Sequence, residues 1–286
     1  MLEGLKNWLR RSPRLVRAKR ELGSHFEFTL LDIVDTFPAF APNSAGKYKD
    51  RALLTIEAVN QTAPFMCDLA TFLSNGRVIA PEPISGIPSR ESEIHSVRRL
   101  GELLVHYGSD KVTHGYHNLY GTILADPDSV ECIFEIGLGT NNLDVVSTMG
   151  ASGRPGASLR AYRDLCKAAR IFGADVDRRI LFSEDRISTF FVDQTVPSTL
   201  DGIRHELPDC FDLVIDDGLH SPNANIASLH FGLQIVKIGG WVVVEDISHE
   251  ALSLWQVVSS IIPPTKYRCR LFEARTTLVF AVQRIG

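Results

Sequence analysis

The sequence predicts an α/β protein built on an open, doubly wound parallel sheet, and three observations carry that prediction. Apolar runs rich in β-branched residues alternate with helical periods from about Ile94 onward. Strands buried on both faces read as continuous apolar runs, and helices between them serve as parallel crossovers. The last two runs, Tyr267–Glu273 and Thr277–Val282, are separated only by Ala-Arg-Thr, which leaves no room for a helix and makes an antiparallel hairpin. The first run also leads straight into two closely spaced glycines.

The elements follow in order. Cys132–Leu138 is the first strand, and a helix is predicted near Ser158–Ala169. Ile171–Val176, Thr189–Val192 and Phe211–Ile215 are the next strands. A helix near Asn223–Val236, the strand Trp241–Val244 and the terminal hairpin complete the sheet. Ahead of them, Phe26–Val34 and Ala52–Ala58 read as short ordered stretches, interrupted by Pro38 and Pro42. The Pro/Ser-rich segment Ala80–Ser92 is the candidate boundary. It gives an N-terminal region of residues 1–95, supplying a lid, acceptor pocket or subunit contacts, and a main domain of residues 96–286.

Composition narrows the function classes. A chain of 286 residues with 44% apolar and 22% charged residues has ample material for a core. A formal net charge of -4 disfavours a nucleic-acid partner. No apolar run approaches the ~18 residues of a membrane span, so no integral membrane contact is expected. Charge is uneven: residues 1–20 carry +6 and the remaining 266 carry -10. Leu2, Leu5, Trp8 and Leu9 lie among those cations, but Pro13 interrupts the pattern, and the segment reads as a solvated basic face. No secretory leader is read at the N-terminus. Five widely spaced cysteines without a Cys-x-x-Cys pair read as reduced thiols of a cytoplasmic protein.

Chemistry concentrates at the strand ends, where open α/β sheets bind ligands. Glu135-Ile-Gly137-Leu-Gly139 ends the first strand, and glycines there allow a ligand to approach the backbone closely. Asp175 ends the second strand, placed for a ribose diol; Asp193 and Gln194 follow the third, placed for an adenine. Asn142 stands where a dinucleotide fingerprint needs its third glycine, and no helix starts promptly, so a pyrophosphate is not the natural ligand. Together these features predict an adenosine cofactor and disfavour an NAD(P)-dependent oxidoreductase. The fourth and fifth strands end in Asp216-Asp217-Gly-Leu-His220 and Glu245-Asp246. Converging carboxylates without cysteine point to Mg²⁺ or Mn²⁺, or else to acids that cap the next helices. Asp216 is read as orienting His220 or, in preference, as such a cap, and His230 as a packed side chain.

Glu-x-Gly-x-Gly, the acid at Asp175 and the terminal hairpin resemble the class I S-adenosylmethionine-dependent methyltransferases, whose sheet is Rossmann-like and seven-stranded. Ile215-Asp-Asp-Gly-Leu-His220, Glu245-Asp246 and Ser109-Asp110-Lys111 followed by His114, Tyr116 and Tyr120 resemble the metal-dependent O-methyltransferases of macrolide sugars. That resemblance implies S-adenosylmethionine and Mg²⁺ as cofactors, with Asp217, Glu245 and Asp246 on the metal and His220 as general base. It implies a small-molecule acceptor, a saccharide or glycosylated natural product, and a homo-oligomer. Lys111 and Tyr116 are assigned to cofactor binding, with Lys111 also suited to an acceptor anion. His114 and His117 are read as loop polarity or substrate contacts. A catalytically inactive cofactor-binding protein is the remaining alternative.

Overall fold

The computed structural model describes residues 30–43, 46–74, 78–88 and 90–286. The basic segment 1–20 lies outside them. Contacts divide the chain into two compact units, Met1–Phe65 and Met66–Gly286. In the first, helix α1 (Leu30–Thr36) covers the end of the Phe26–Val34 stretch. There Ile33 and Val34 pack with Ala52, Ala41 and Tyr48. Helix α2 (Tyr48–Leu73) takes in Ala52–Ala58 and continues through Pro64 into the second unit.

The second unit contains a nine-stranded sheet. Its strands are β1 (Pro81–Pro83), β2 (Cys132–Ile136), β3 (Arg170–Asp175), β4 (Ser183–Glu184), β5 (Ile187–Phe191), β6 (Phe211–Asp216), β7 (Val236–Ile247), β8 (Tyr267–Glu273) and β9 (Leu278–Arg284). They lie in the order β1-β8-β9-β7-β6-β2-β3-β5-β4. Strands β2, β3, β5, β6 and β7 pair in parallel, and β9 is antiparallel to both β7 and β8, as the short hairpin linker demands. Seven strands are those read from the sequence. Two short edge strands were not foreseen: β4 folds back on β5, and β1 runs parallel to β8. The latter lies within the Ala80–Ser92 segment read as a boundary, because the proline-bounded triplet sits at an edge where missing N–H donors cost little.

The helices are α3 (Glu91–Tyr107), α4 (Lys111–His114), α5 (Tyr116–Ile123), α6 (Ala157–Leu165), α7 (Ser198–Ile203), α8 (Pro222–Ile235) and α9 (Leu252–Ile261). The Glu93 carboxylate accepts the Arg90 N–H at the start of α3, while Gly108 ends it with φ +83°. Leu100 and Leu104 of α3, Leu119 and Tyr120 of α5 and Leu159 and Tyr162 of α6 cover one sheet face with Ile133, Leu213, Ile215 and Val243. Leu200 of α7, Leu229 and Phe231 of α8 and Trp255 of α9 cover the other with Phe134, Val214, Val242 and Val244.

This alternation positions the site. Ile133 and Phe134 point to opposite faces, as do Val243 and Val244. The next residues, Glu135 and Glu245, therefore return to the α3/α5/α6 face, whereas Asp216 after Ile215 turns toward α8.

Candidate functional site

Strand order reverses between β2 and β6, and the crevice at their C-terminal ends is the topological switch point. The two chain segments touch there: Asp217 N–H donates to Ile136 O at 2.8 Å. Gly137 has φ +96°, and a Cβ on it would lie 1.9 Å from the Asp217 carbonyl oxygen. Glycine is thus required by both backbone conformation and close approach. Gly139 is also left-handed, at φ +76°.

The glycine side of the crevice satisfies itself locally. Asp175 Oδ2 accepts the Leu138 N–H and Oδ1 accepts the Asp177 N–H, both at 2.8 Å. Burial pushes the Asp175 carboxyl up, and these amides oppose the shift. Asn142 donates from Nδ2 to Asp177 Oδ2 at 2.7 Å, as does Thr140 Oγ1. Asp177 also receives Arg179 Nε at 2.7 Å, and this hydrogen bond is the main reason its carboxyl titrates well below the usual range. The side chain in place of a third glycine thus fastens the loop, and α6 starts only at Ala157. Asp177 escaped the sequence reading; its signal was the Asp-x-Asp spacing from Asp175.

Asp193 and Gln194 follow β5. Asp193 Oδ1 accepts from the N–H and hydroxyl of Thr195. Gln194 is buried, donating to Asp216 Oδ1 and Ser228 Oγ at 2.6 Å and accepting the Leu219 N–H at 2.9 Å. A Cβ on Gly218 would meet Gln194 Oε1 at 2.0 Å, so this glycine is needed for the clasp. Asp216 therefore caps no helix: it binds Gln194, while Ser221 occupies the N-cap of α8. Burial raises its pKa to about 6 against the opposing pull of Gln194 and His220.

The acid side has a closed part and an open part. In the closed part, Lys111 Nζ lies 2.6 Å from Asp217 Oδ2, 2.7 Å from Glu245 Oε2 and 3.1 Å from Glu135 Oε1. Lys111, Glu135 and Glu245 are buried, with Tyr120 bonded to Glu245 and Ser158 to Glu135. Burial opposes the Lys111 charge, but Asp217, Glu245 and Glu135 outweigh it and hold its pKa well above the ordinary lysine value. The Glu245 carboxyl is pushed up by burial and by repulsion from Asp217, with Lys111 pulling the other way.

The open part consists of Asp217, His220 and Asp246, each about a quarter exposed. His220 Nε2 lies 4.0 Å from Asp217 Oδ1 and 3.8 Å from Asp246 Oδ2. Donor atoms of these three residues all fall within 4.8 Å of one another, and the two carboxylates suit a hard divalent cation. Tyr116 donates to Asp246 Oδ1 at 2.5 Å and is bonded to Thr277, a residue the sequence did not single out. Its phenol is driven upward by burial and by the negative charge of Glu245 and Asp246, so it remains a donor. Among the described residues only four non-glycines have left-handed backbones, and two are His220 (φ +57°) and Asp246 (φ +52°). Both are residue types that adopt the left-handed region more readily than most, and their side chains face each other at 3.8 Å.

Other histidines divide. His114 stacks on Tyr116 at 5.4 Å, beside the open part. His117 is half-buried and held below the ordinary histidine value by burial. His230 is exposed beside Gln234 rather than packed, because Leu229 and Phe231 flank it on the buried side of α8. His249 lies 3.8 Å from Glu273.

No protein-family model matches the chain. Its sheet aligns with a methyltransferase from the mycinamycin biosynthetic pathway, solved with Mg and SAH, at a TM-score of 0.53 and 24% identity over 65% of this chain and 55% of that one. This is the class I methyltransferase fold. Within it the chain is similar to demethylmacrocin O-methyltransferase of Streptomyces fradiae, 34% identical over 92 residues, which are 32% of this chain and 23% of the relative. It is also similar to a tetracenomycin-C rhamnosyl 2'-O-methyltransferase of Streptomyces olivaceus, 29% identical over 150 residues, 52% of this chain and 37% of the relative. The matches thus span well under half of these relatives' length. Gly137, Asp175 and Asp217 stand at the C-terminal strand ends, where open α/β sheets bind ligands.

Proposed function

We propose that the protein is an S-adenosylmethionine-dependent, divalent-cation-dependent O-methyltransferase acting on a hydroxyl of a sugar or glycosylated small molecule. The observation that carries this reading is the open group Asp217, His220 and Asp246 at the strand ends, next to the Gly137–Gly139 crevice of a methyltransferase fold. Similarity to enzymes named as sugar O-methyltransferases supports the acceptor class.

The donor set fits Mg²⁺ or Mn²⁺: Asp217 and Asp246 offer carboxylate oxygens, with Glu245 directly behind. When bound, the cation would lower the pKa of an acceptor hydroxyl, and S-adenosylmethionine would supply the methyl group. The chain's own residues do the rest. His220 takes the hydroxyl proton on Nε2, the nitrogen facing both acids. Asp217 and Asp246 favour the imidazolium that results. Tyr116 fixes Asp246, and Lys111 fixes Asp217 from its buried side. Gly137 and Gly139 supply the left-handed turns of the loop beside the cofactor, with Asp175 and Asp193 near it.

Methyl transfer from labelled S-adenosylmethionine to glycosylated acceptors tests the reading. Chelator is expected to abolish turnover and Mg²⁺ to restore it. Full activity in chelator, or in Asp246→Ala, removes the metal role; binding of NAD without S-adenosylmethionine removes the methyltransferase role.

A further inference from the structure

Lys111 is the polar group in the crevice that the reaction does not consume. Its ammonium has three N–H donors. It faces three carboxylates from three chain segments: Glu135 in β2, Asp217 just after β6 and Glu245 in β7. The side chain is 2% exposed, so no surface anion or cofactor carboxylate reaches Nζ without displacing one of these partners. Its backbone is tied at the end of the four-residue α4, where the Gly115 N–H donates to the Lys111 and Val112 carbonyl oxygens. The Tyr120 ring centroid lies 5.8 Å from Nζ, adding a cation–π contact from a further element.

The consequence lies in which oxygens remain free. Lys111 takes Asp217 Oδ2, so Oδ1 is the oxygen turned toward His220. It also approaches both oxygens of Glu245, at 2.8 and 2.7 Å, holding that carboxylate behind Asp246. Without a cation at this point, three carboxylates gathered around one centre would repel and separate, which loosens the open group.

We propose that Lys111 is a positioning residue: a resident cation that anchors Asp217 through Oδ2, and Glu245 behind it, so that Asp217 Oδ1 faces the open group in the geometry a single exchangeable divalent cation requires. The inference rests on the metal-dependent reading above. It assigns Lys111 a part different from a direct cofactor contact. Supports of this kind, one step behind the ligands, change metal affinity by about 10–100-fold when removed.

The test is titration of the full chain with Mn²⁺, followed by calorimetry, with circular dichroism as the check on folding. Wild type is expected to bind one Mn²⁺; its failure to bind removes the metal reading itself. Lys111→Met is expected to bind at least ~10-fold more weakly. Because that variant leaves unpaired buried acids, Lys111→Met/Glu135→Gln removes one charge of each sign and keeps Asp217, Glu245 and Asp246. If Lys111 positions the ligands, the folded double variant stays at least ~10-fold weaker than wild type. If Lys111 is only a counter-ion for stability, its Mn²⁺ affinity returns to within about twofold of wild type, and the inference is overturned. Lys111→Arg keeps the charge but replaces a compact point donor by a planar fork, and it is expected to bind Mn²⁺ weakly as well. Unchanged binding by this variant also overturns the inference.

Discussion

On the glycine side of the crevice, Asp175 is satisfied by N–H groups 37 and two residues away. On the acid side, Glu245 is satisfied by Lys111 and Tyr120, 134 and 125 residues away. The first arrangement uses backbone donors that any sequence supplies once the strand ends are in register. The second uses specific side chains carried by α4 and α5, elements outside the β2–β7 core. In the proposed function the difference separates two tasks. A cofactor crevice needs an uncluttered, fixed backbone, whereas a cation site needs charge held in place without being fully neutralised. Loss on the first side should therefore appear mainly as instability, and loss on the second mainly as altered chemistry.

The sharpest break of that contrast is His220→Ala. Because His220 is the proposed general base, its removal is expected to lower kcat by about 10²–10⁴-fold with the fold intact, measured as methyl transfer beside a circular dichroism spectrum. If instability alone accounts for the loss, the acid side is structural and the contrast fails. Gly137→Ala should give the opposite profile. Its Cβ has no space and its φ is left-handed, so a destabilisation of more than ~3 kcal/mol is expected in urea unfolding. A third variant probes the clasp between the two sides. Gln194→Leu leaves the Leu219 N–H without its acceptor and Asp216 without its amide donor, and a loss of about 1–3 kcal/mol is expected in the same assay.

The smallest effect serves as a control away from the crevice. Glu82 on β1 is paired with Arg270 on β8 at 2.7 Å, and that hydrogen bond holds its carboxyl below the ordinary value. A lowered folded-state pKa stabilises above the unfolded pKa, and the contribution disappears as pH falls through the folded value. Glu82→Gln is therefore expected to cost at most ~0.5 kcal/mol at pH 7, because the pair is partly exposed, and nothing in strong acid. Urea midpoints at both pH values check this. An effect on Mn²⁺ affinity would show that the sheet edge and crevice are coupled.

Much of the site was legible because the motifs sit at strand ends. Glu135, Gly137, Gly139, Asp217, His220, Glu245 and Asp246 were all found by position, and the structure brings them to one crevice. Partnership was less legible. Lys111 and Tyr116 were read toward the cofactor, yet they hold acids. Asp216 was read as a cap, yet the strand's period of two turns it to the opposite face, onto Gln194. Asn142 was read only as a missing glycine, although its amide supplies the bond that fastens the loop. Each contact joins residues far apart in the chain, and spacing alone carries no distance across a sheet.

By itself the sequence determined the parallel core, the terminal hairpin and which residues stand at the strand ends, because local periodicity and turn chemistry encode them. Only the tertiary structure decided which acids are closed off and which are open. That division depends on where α4 and α5 deliver one ammonium and two phenols. It also depends on the left-handed backbones of His220 and Asp246, which aim their side chains at one another.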